Sequence, residues 1–134
     1  MLNKRHLLAG FALTLATAPF MAAAPVAALD KTPFDAKAFD DAQAAGKPIL
    51  VEVTAPWCPT CKAQAPILAR LSGTPKFKDM VRFNIDFDTQ KDLLRRFNVR
   101  MQSTMIAFKG KQEVGRSTGD TNPGSIERLL EKSI

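Results

Sequence analysis

Six residues in the middle of the chain, Ile49-Leu50-Val51-Glu52-Val53-Thr54, are rich in β-branched and apolar side chains and lie between Pro48 and the pair Ala55-Pro56. A run that short and that apolar reads as a buried strand. A helix signal follows at once, from about Pro59 to Leu71, with Gly73 and Pro75 to stop it. Pro66 lies inside it and is expected to kink it, because proline has no backbone N–H to give. Val81-Arg82-Phe83-Asn84-Ile85-Asp86 alternates in the manner of a second strand, and Asp88 is placed to cap a helix from Thr89 to Phe97. Met105 to Phe108 reads as a third strand, and Gly110-Lys111 turns the chain into a fourth from Glu113 to Ser117. Gly119 to Gly124 reads as loop, and a closing helix from Ser125 to Lys132 sets Ile126, Leu129 and Leu130 on one face. Ahead of all these, Thr32-Pro33-Phe34-Asp35 has the form of a capping box with proline at the first helical position, opening a helix through Ala45 that Gly46 ends. The order predicts an α/β fold, a mixed sheet of about four to five strands with helices on both faces.

Residues 1–28 read differently. A basic start (Lys4, Arg5, His6) is followed by the apolar run Leu7 to Thr17 and then by small residues through Ala28. This is the order of a secretory signal peptide, and the run falls short of the ~20 apolar residues that span a bilayer. The expectation is a signal over 1–28, cleaved after Ala28, and one domain over 29–134. The protein is then exported, most simply to a bacterial periplasm, with no membrane contact after cleavage; an uncleaved segment would tether it. The remaining residues carry 17 Lys and Arg against 13 Asp and Glu, a net charge of +4. Those cations are spread along the chain without interleaved aromatics, which argues against nucleic acid as a partner. Arg95-Arg96 with Arg100 reads as a solvated helix face.

The chain has two cysteines, Cys58 and Cys61, in Trp57-Cys58-Pro59-Thr60-Cys61. A structural staple is a poor reading, since so small a loop restrains the unfolded chain little. Half a zinc site is poor as well, because two more ligands are needed and the one histidine, His6, lies in the signal. Lys62, not histidine, follows Cys61, which rules against covalent haem. A redox couple at the start of a helix is the reading that remains.

The ensemble around the pair resembles the thioredoxin family. The resemblance rests on Val51-Glu52-Val53 before the motif, Trp57 ahead of Cys58, Pro66 five residues after Cys61, Asn84-Ile85-Asp86 at the end of the second strand, and Thr104 to Gly110 leading into the hairpin. It covers about Ala36 to Leu130 and implies a thioredoxin fold and thiol-disulfide exchange with protein disulfide or dithiol substrates and a redox partner protein. A monomer with no metal and no organic cofactor is expected. At the helix start, unpaired N–H groups and the positive dipole end favour a thiolate, so Cys58 is expected to be the nucleophile. Cys61, one turn further in and less exposed, is expected to resolve the mixed disulfide. Glu52 matches the position of the family's buried acid, usually Asp, which relays the proton of the resolving cysteine, and burial would raise its pKa.

Trp57, Pro59, Thr60, Ser103 and Thr104 are expected to form the substrate-binding edge. Trp57 reads as a flat contact surface beside the sulfurs. Pro59 offers no N–H to the sulfur and Thr60 no positive charge, so the expected potential is intermediate to reducing, and the expected activity is that of a reductase. Ser103 departs from the family, standing where a cis-proline normally faces the cysteines. A cis bond before a non-proline residue costs ~2.5–4 kcal/mol, so a trans bond is expected there, with a backbone N–H and a hydroxyl near the sulfur. The competing reading is a non-catalytic binding module whose altered loop holds a partner or a metal bridged between two chains.

Overall fold

The computed structural model describes residues 31–134. The expected signal over 1–28 and its cleavage point lie outside the described residues. In chain order the elements are β1 (Thr32–Pro33), α1 (Ala36–Ala44), β2 (Pro48–Thr54), α2 (Pro59–Ser72), β3 (Val81–Asp86), α3 (Lys91–Arg96), β4 (Thr104–Lys109), β5 (Gln112–Thr118) and α4 (Pro123–Glu131), with a 3-10 turn over Pro75–Phe77.

The five strands form one sheet in the order β1-β3-β2-β4-β5. β2 occupies the centre, parallel to β3 and antiparallel to β4, so its backbone is paired along both edges. Its side chains alternate between two cores. Ile49, Val51 and Val53 join Phe39 and Ala42 of α1, Leu94 of α3, and Phe97, Phe83 and Ile85 on one face. Leu50 joins Leu68 and Leu71 of α2, Met105 and Ala107 of β4, and Ile126, Leu129 and Leu130 of α4 on the other. A strand covered on both faces reads as a near-continuous apolar run, which is why residues 49–53, apolar but for Glu52, dominate the sequence pattern. Each fully buried Val, Leu, Ile or Phe side chain contributes roughly 1.5–3 kcal/mol relative to exposure.

The N-terminal segment departs from the expected capping box. Thr32 and Pro33 are a short strand on the outer edge of β3, and the N–H of Phe34 donates to the Asn84 carbonyl at 2.8 Å. Phe34 then packs its ring 5.3 to 5.7 Å from those of Phe39, Phe83 and Phe97. Only after that anchor does α1 begin, with Asp35 as N-cap accepting from the N–H of Ala38 at 2.7 Å. The helix ends as expected at Gly46, whose φ of +68° suits glycine.

A second difference concerns α3, which starts at Lys91 rather than Thr89, with Gln90 at the N-cap position and its side-chain oxygen turned back to accept the Asp86 N–H. The carboxylate of Asp86 accepts the N–H groups of Asp88 and Thr89 at 2.8 and 2.9 Å, so those two residues are spent on a turn at the end of β3. α2 runs from Pro59 through Pro66 to Ser72 as a single helix. Arg95, Arg96 and Arg100 are exposed, as expected, and Arg96 also lies over the rings of Phe34, Phe39 and Phe97 while pairing with Asp40. β4 and β5 form the hairpin, with a bulge opposite Ala107 and Phe108. Among the described residues, no helix is long and apolar enough to cross a membrane.

Candidate active site

β2 ends at Thr54, and the turn Ala55-Pro56-Trp57 leads into α2. The N–H of Cys58 donates to the Ala55 carbonyl at 3.2 Å, which closes that turn and sets Cys58 at the N-cap. Cys58 and Cys61 are joined as a disulfide, with Cα atoms 5.3 Å apart. The Cys58 sulfur accepts the N–H of Cys61 at 3.1 Å. It therefore takes the place that Ser or Asp holds at an ordinary N-cap, where an orphan N–H of the first turn needs an acceptor.

The expected order of exposure is reversed. Cys58 is 0 % exposed and Cys61 8 %, although Cys61 lies deeper along the helix. Ala55 and Phe87 pack on the pair, and an open cleft of about 390 Å³ runs past Cys61 between Lys62, Thr54 and Asn84. The asymmetry within the pair thus comes from position on the helix rather than from burial.

Glu52 is buried, as expected, and points to the α2 and α4 face of β2. Its two carboxylate oxygens accept from Nε and Nη2 of Arg82 at 2.9 and 3.1 Å, and Nη1 of Arg82 donates to the Ser72 hydroxyl at 3.0 Å. Arg82 stands opposite Leu50 in the sheet, two residues back from Glu52 along β2. The guanidinium thus fixes the carboxylate through both of its oxygens. Burial pushes its pKa up from the ordinary glutamate value; the charge of Arg82, and more weakly that of Lys31, pulls it back without cancelling the rise.

The expected substrate edge divides in two. Trp57 is 54 % exposed, its indole N–H donating to the Asp88 carboxylate at 2.9 Å and its ring 6.4 Å from that of Phe87. Pro59 is exposed and Thr60 half-buried on the first turn of α2. Ser103 and Thr104, by contrast, are buried. The Ser103 N–H donates to the Val53 carbonyl at 2.8 Å and its hydroxyl to the Gln102 carbonyl, so neither group is left to face the sulfur as expected. The Thr104 hydroxyl donates to the Met101 carbonyl at 2.8 Å and lies 2.9 Å from that of Thr118. The described residues contain no cis peptide bond, and Ser103 has φ +61°, a left-handed conformation rare for serine. Met101, 55 % exposed, is the apolar side chain this loop presents to solvent.

Two residues near the site, Arg82 and Gln64, escaped the sequence reading, and a third, Asp88, was given another role. Arg82 carried a faint signal, a cation on a strand expected to be covered on both faces. Asp88, expected as a helix cap, instead anchors Trp57. Gln64 falls in the inward series Cys61, Gln64, Leu68, Leu71 on α2, and a polar residue at such spacing marks a buried hydrogen-bond site. No group of three or more His, Cys, Asp or Glu that could hold a metal occurs among the described residues.

The family model described as Thioredoxin matches residues 27–132. Thioredoxin Asp f 29 of Aspergillus fumigatus is 33% identical over 101 residues, 75% of this chain and 91% of the relative. A thioredoxin of Mycobacterium tuberculosis is 34% identical over 96 residues, 72% of this chain and 82% of its own. The crystal structure of Trxlp from Edwardsiella tarda EIB202 superposes with a TM-score of 0.71 at 45% identity, covering 73% of this chain and 95% of that one. With a cysteine pair at the mouth of α2, a five-stranded mixed sheet beneath it and a family match along almost the whole described length, the chain belongs to the thioredoxin family.

Proposed function

We propose that this chain reduces disulfides in partner proteins of the cell envelope, with Cys58 as the attacking thiolate and Cys61 as the resolving thiol. Thiol-disulfide exchange is the activity of the family it belongs to. The observation that carries the assignment of roles is the hydrogen bond from the Cys61 N–H to the Cys58 sulfur at the N-cap, since a donor and a helix dipole aimed at one sulfur stabilise its anion. The reduced chain's Cys58 thiolate attacks one sulfur of the partner disulfide, forming a mixed disulfide and releasing the other partner sulfur as a thiolate. Cys61 loses its proton and attacks Cys58 in the mixed disulfide, closing the intramolecular disulfide and freeing the partner as a dithiol. Two electrons pass from chain to partner, and a dithiol redox partner protein restores the reduced pair.

Glu52 is the acid-base group of this reading. A buried carboxyl with a raised pKa is suited to taking the Cys61 proton near neutral pH, and its pairing with Arg82 makes that transfer depend on the guanidinium. Thr60, without positive charge, supports a reducing potential, nearer the roughly −270 mV of thioredoxin than the roughly −120 mV of the oxidant DsbA. Export rests on the pattern of residues 1–28 and is checked with a reporter active only outside the cytoplasm, fused after Ala28.

Insulin reduction with dithiothreitol tests the activity. Turbidity is expected well above the uncatalysed background, and none above it would leave the binding-module reading in its place. Cys61→Ser is expected to accumulate a mixed disulfide with partner proteins, visible by mass spectrometry and released by reductant. Cys58→Ser is expected to accumulate none, and equal trapping by both variants would reverse or erase the assigned roles.

A further inference from the structure

Ser103 is held in a left-handed conformation that costs free energy for any residue with a Cβ, so something must keep it there. Its carbonyl is gripped from two sides, by the N–H of Gly119 at 3.1 Å and by the side-chain amide of Gln64 at 3.2 Å. The same Gln64 nitrogen donates to the carbonyl of Asp120 at 2.8 Å. Two carbonyl oxygens facing one amide leave no choice of orientation, since only the NH2 end can donate to both. Gln64 is 3 % exposed and lies one turn beyond Cys61 on the helix that Cys58 opens. A single side chain rooted in the redox helix thus ties together the two loops that flank the start of β4 and the end of β5.

We infer that Gln64 is a positioning residue for partner binding, fixing the Ser103 loop, with its exposed Met101, in register with the Cys58-Cys61 helix. The role rests on the reductase reading above. Neither Gln64 nor the loop carbonyls take part in bond making. The clamp sets the shape of the edge a partner chain meets, so its loss falls on encounter with the partner rather than on the exchange step. Glycine at position 103 adopts the left-handed conformation without steric cost and has less need of the clamp.

The test is steady-state insulin reduction by Gln64→Met, which keeps the length and burial of the side chain and removes both donors. Two hydrogen bonds of ordinary net strength set the expected rise in KM on the order of tenfold, with kcat within about twofold of the parent. Ser103→Gly added to Gln64→Met is expected to bring KM back to within about threefold. An unchanged KM, a loss confined to kcat, or a double variant no better than Gln64→Met overturns the inference. Amide exchange at Gly119, read on the folded protein and on Gln64→Asn, gives an answer independent of turnover. Exchange on the order of tenfold faster in Gln64→Asn supports the clamp, and equal protection refutes it even if Gln64→Met does not fold. A parent chain that reduces no insulin overturns the functional reading alone, because the exchange measurement still decides whether Gln64 holds the loop.

Discussion

Glu52 and Arg82 form a charge pair with neither partner in water, and the direction of the Glu52 shift fixes how each responds to substitution. A carboxyl whose folded pKa lies above its unfolded one stabilises the fold most below the ordinary glutamate range, and that contribution is lost as pH climbs through the raised value. Glu52→Gln is expected to flatten this part of the stability profile, read by urea denaturation from pH 4 to pH 8. Arg82→Met removes the cation that makes the buried charge tolerable. It is expected to cost about 3–5 kcal/mol at neutral pH and clearly less in acid, where Glu52 is protonated. A cost equal at both pH values would show that Arg82 acts by packing alone. The position of Glu52 and its burial were legible, because a lone acid in a run covered on both faces has nowhere else to go. Its partner was not, since parallel pairing of β3 with β2 joins residues thirty positions apart.

Among the elements, the agreement is closest where local pattern and burial coincide. β2 and α2 lie where periodicity, proline and glycine place them. β1 was illegible because nothing in Thr32-Pro33 demands a strand; the free edge of β3 recruits it, and a capping-box pattern then stands three residues ahead of the real helix start. Asp88 was misread for a similar reason: Asp86 draws the N–H groups of Asp88 and Thr89 into a turn, so the helix starts further on, at Lys91. The seating of α4 on β5 shows how tightly one element limits another. A Cβ added to Gly115 would lie 2.9 Å from Leu129 Cδ1 and 3.3 Å from Lys132 Cδ. Gly115→Val is expected to cost about 1–3 kcal/mol of stability despite valine's preference for strands, measured as a lower denaturation midpoint. A neutral outcome would mean that α4 can shift without loss.

For the molecule as a whole, residues 31–134 hold a five-stranded sheet, a core on each of its faces and the complete cysteine pair. A chain reduced to 29–134 is expected to unfold in one cooperative transition with coincident far-UV and tryptophan signals, Trp57 being the sole reporter of its kind. Separate transitions would show that the two faces of the sheet are independent units. Among the described residues the sheet also has two open sides, and they are finished differently. On one, β1 is two residues long and includes Pro33, which has no N–H to offer a further strand. On the other, β5 bears the exposed pair Glu113 and Arg116 and contains a bulge that breaks its regular spacing. Neither side gives a neighbouring molecule a long, flat row of donors and acceptors to copy, so a crowded solution of the folded chain is guarded against growing into fibrils by the ends of its own sheet.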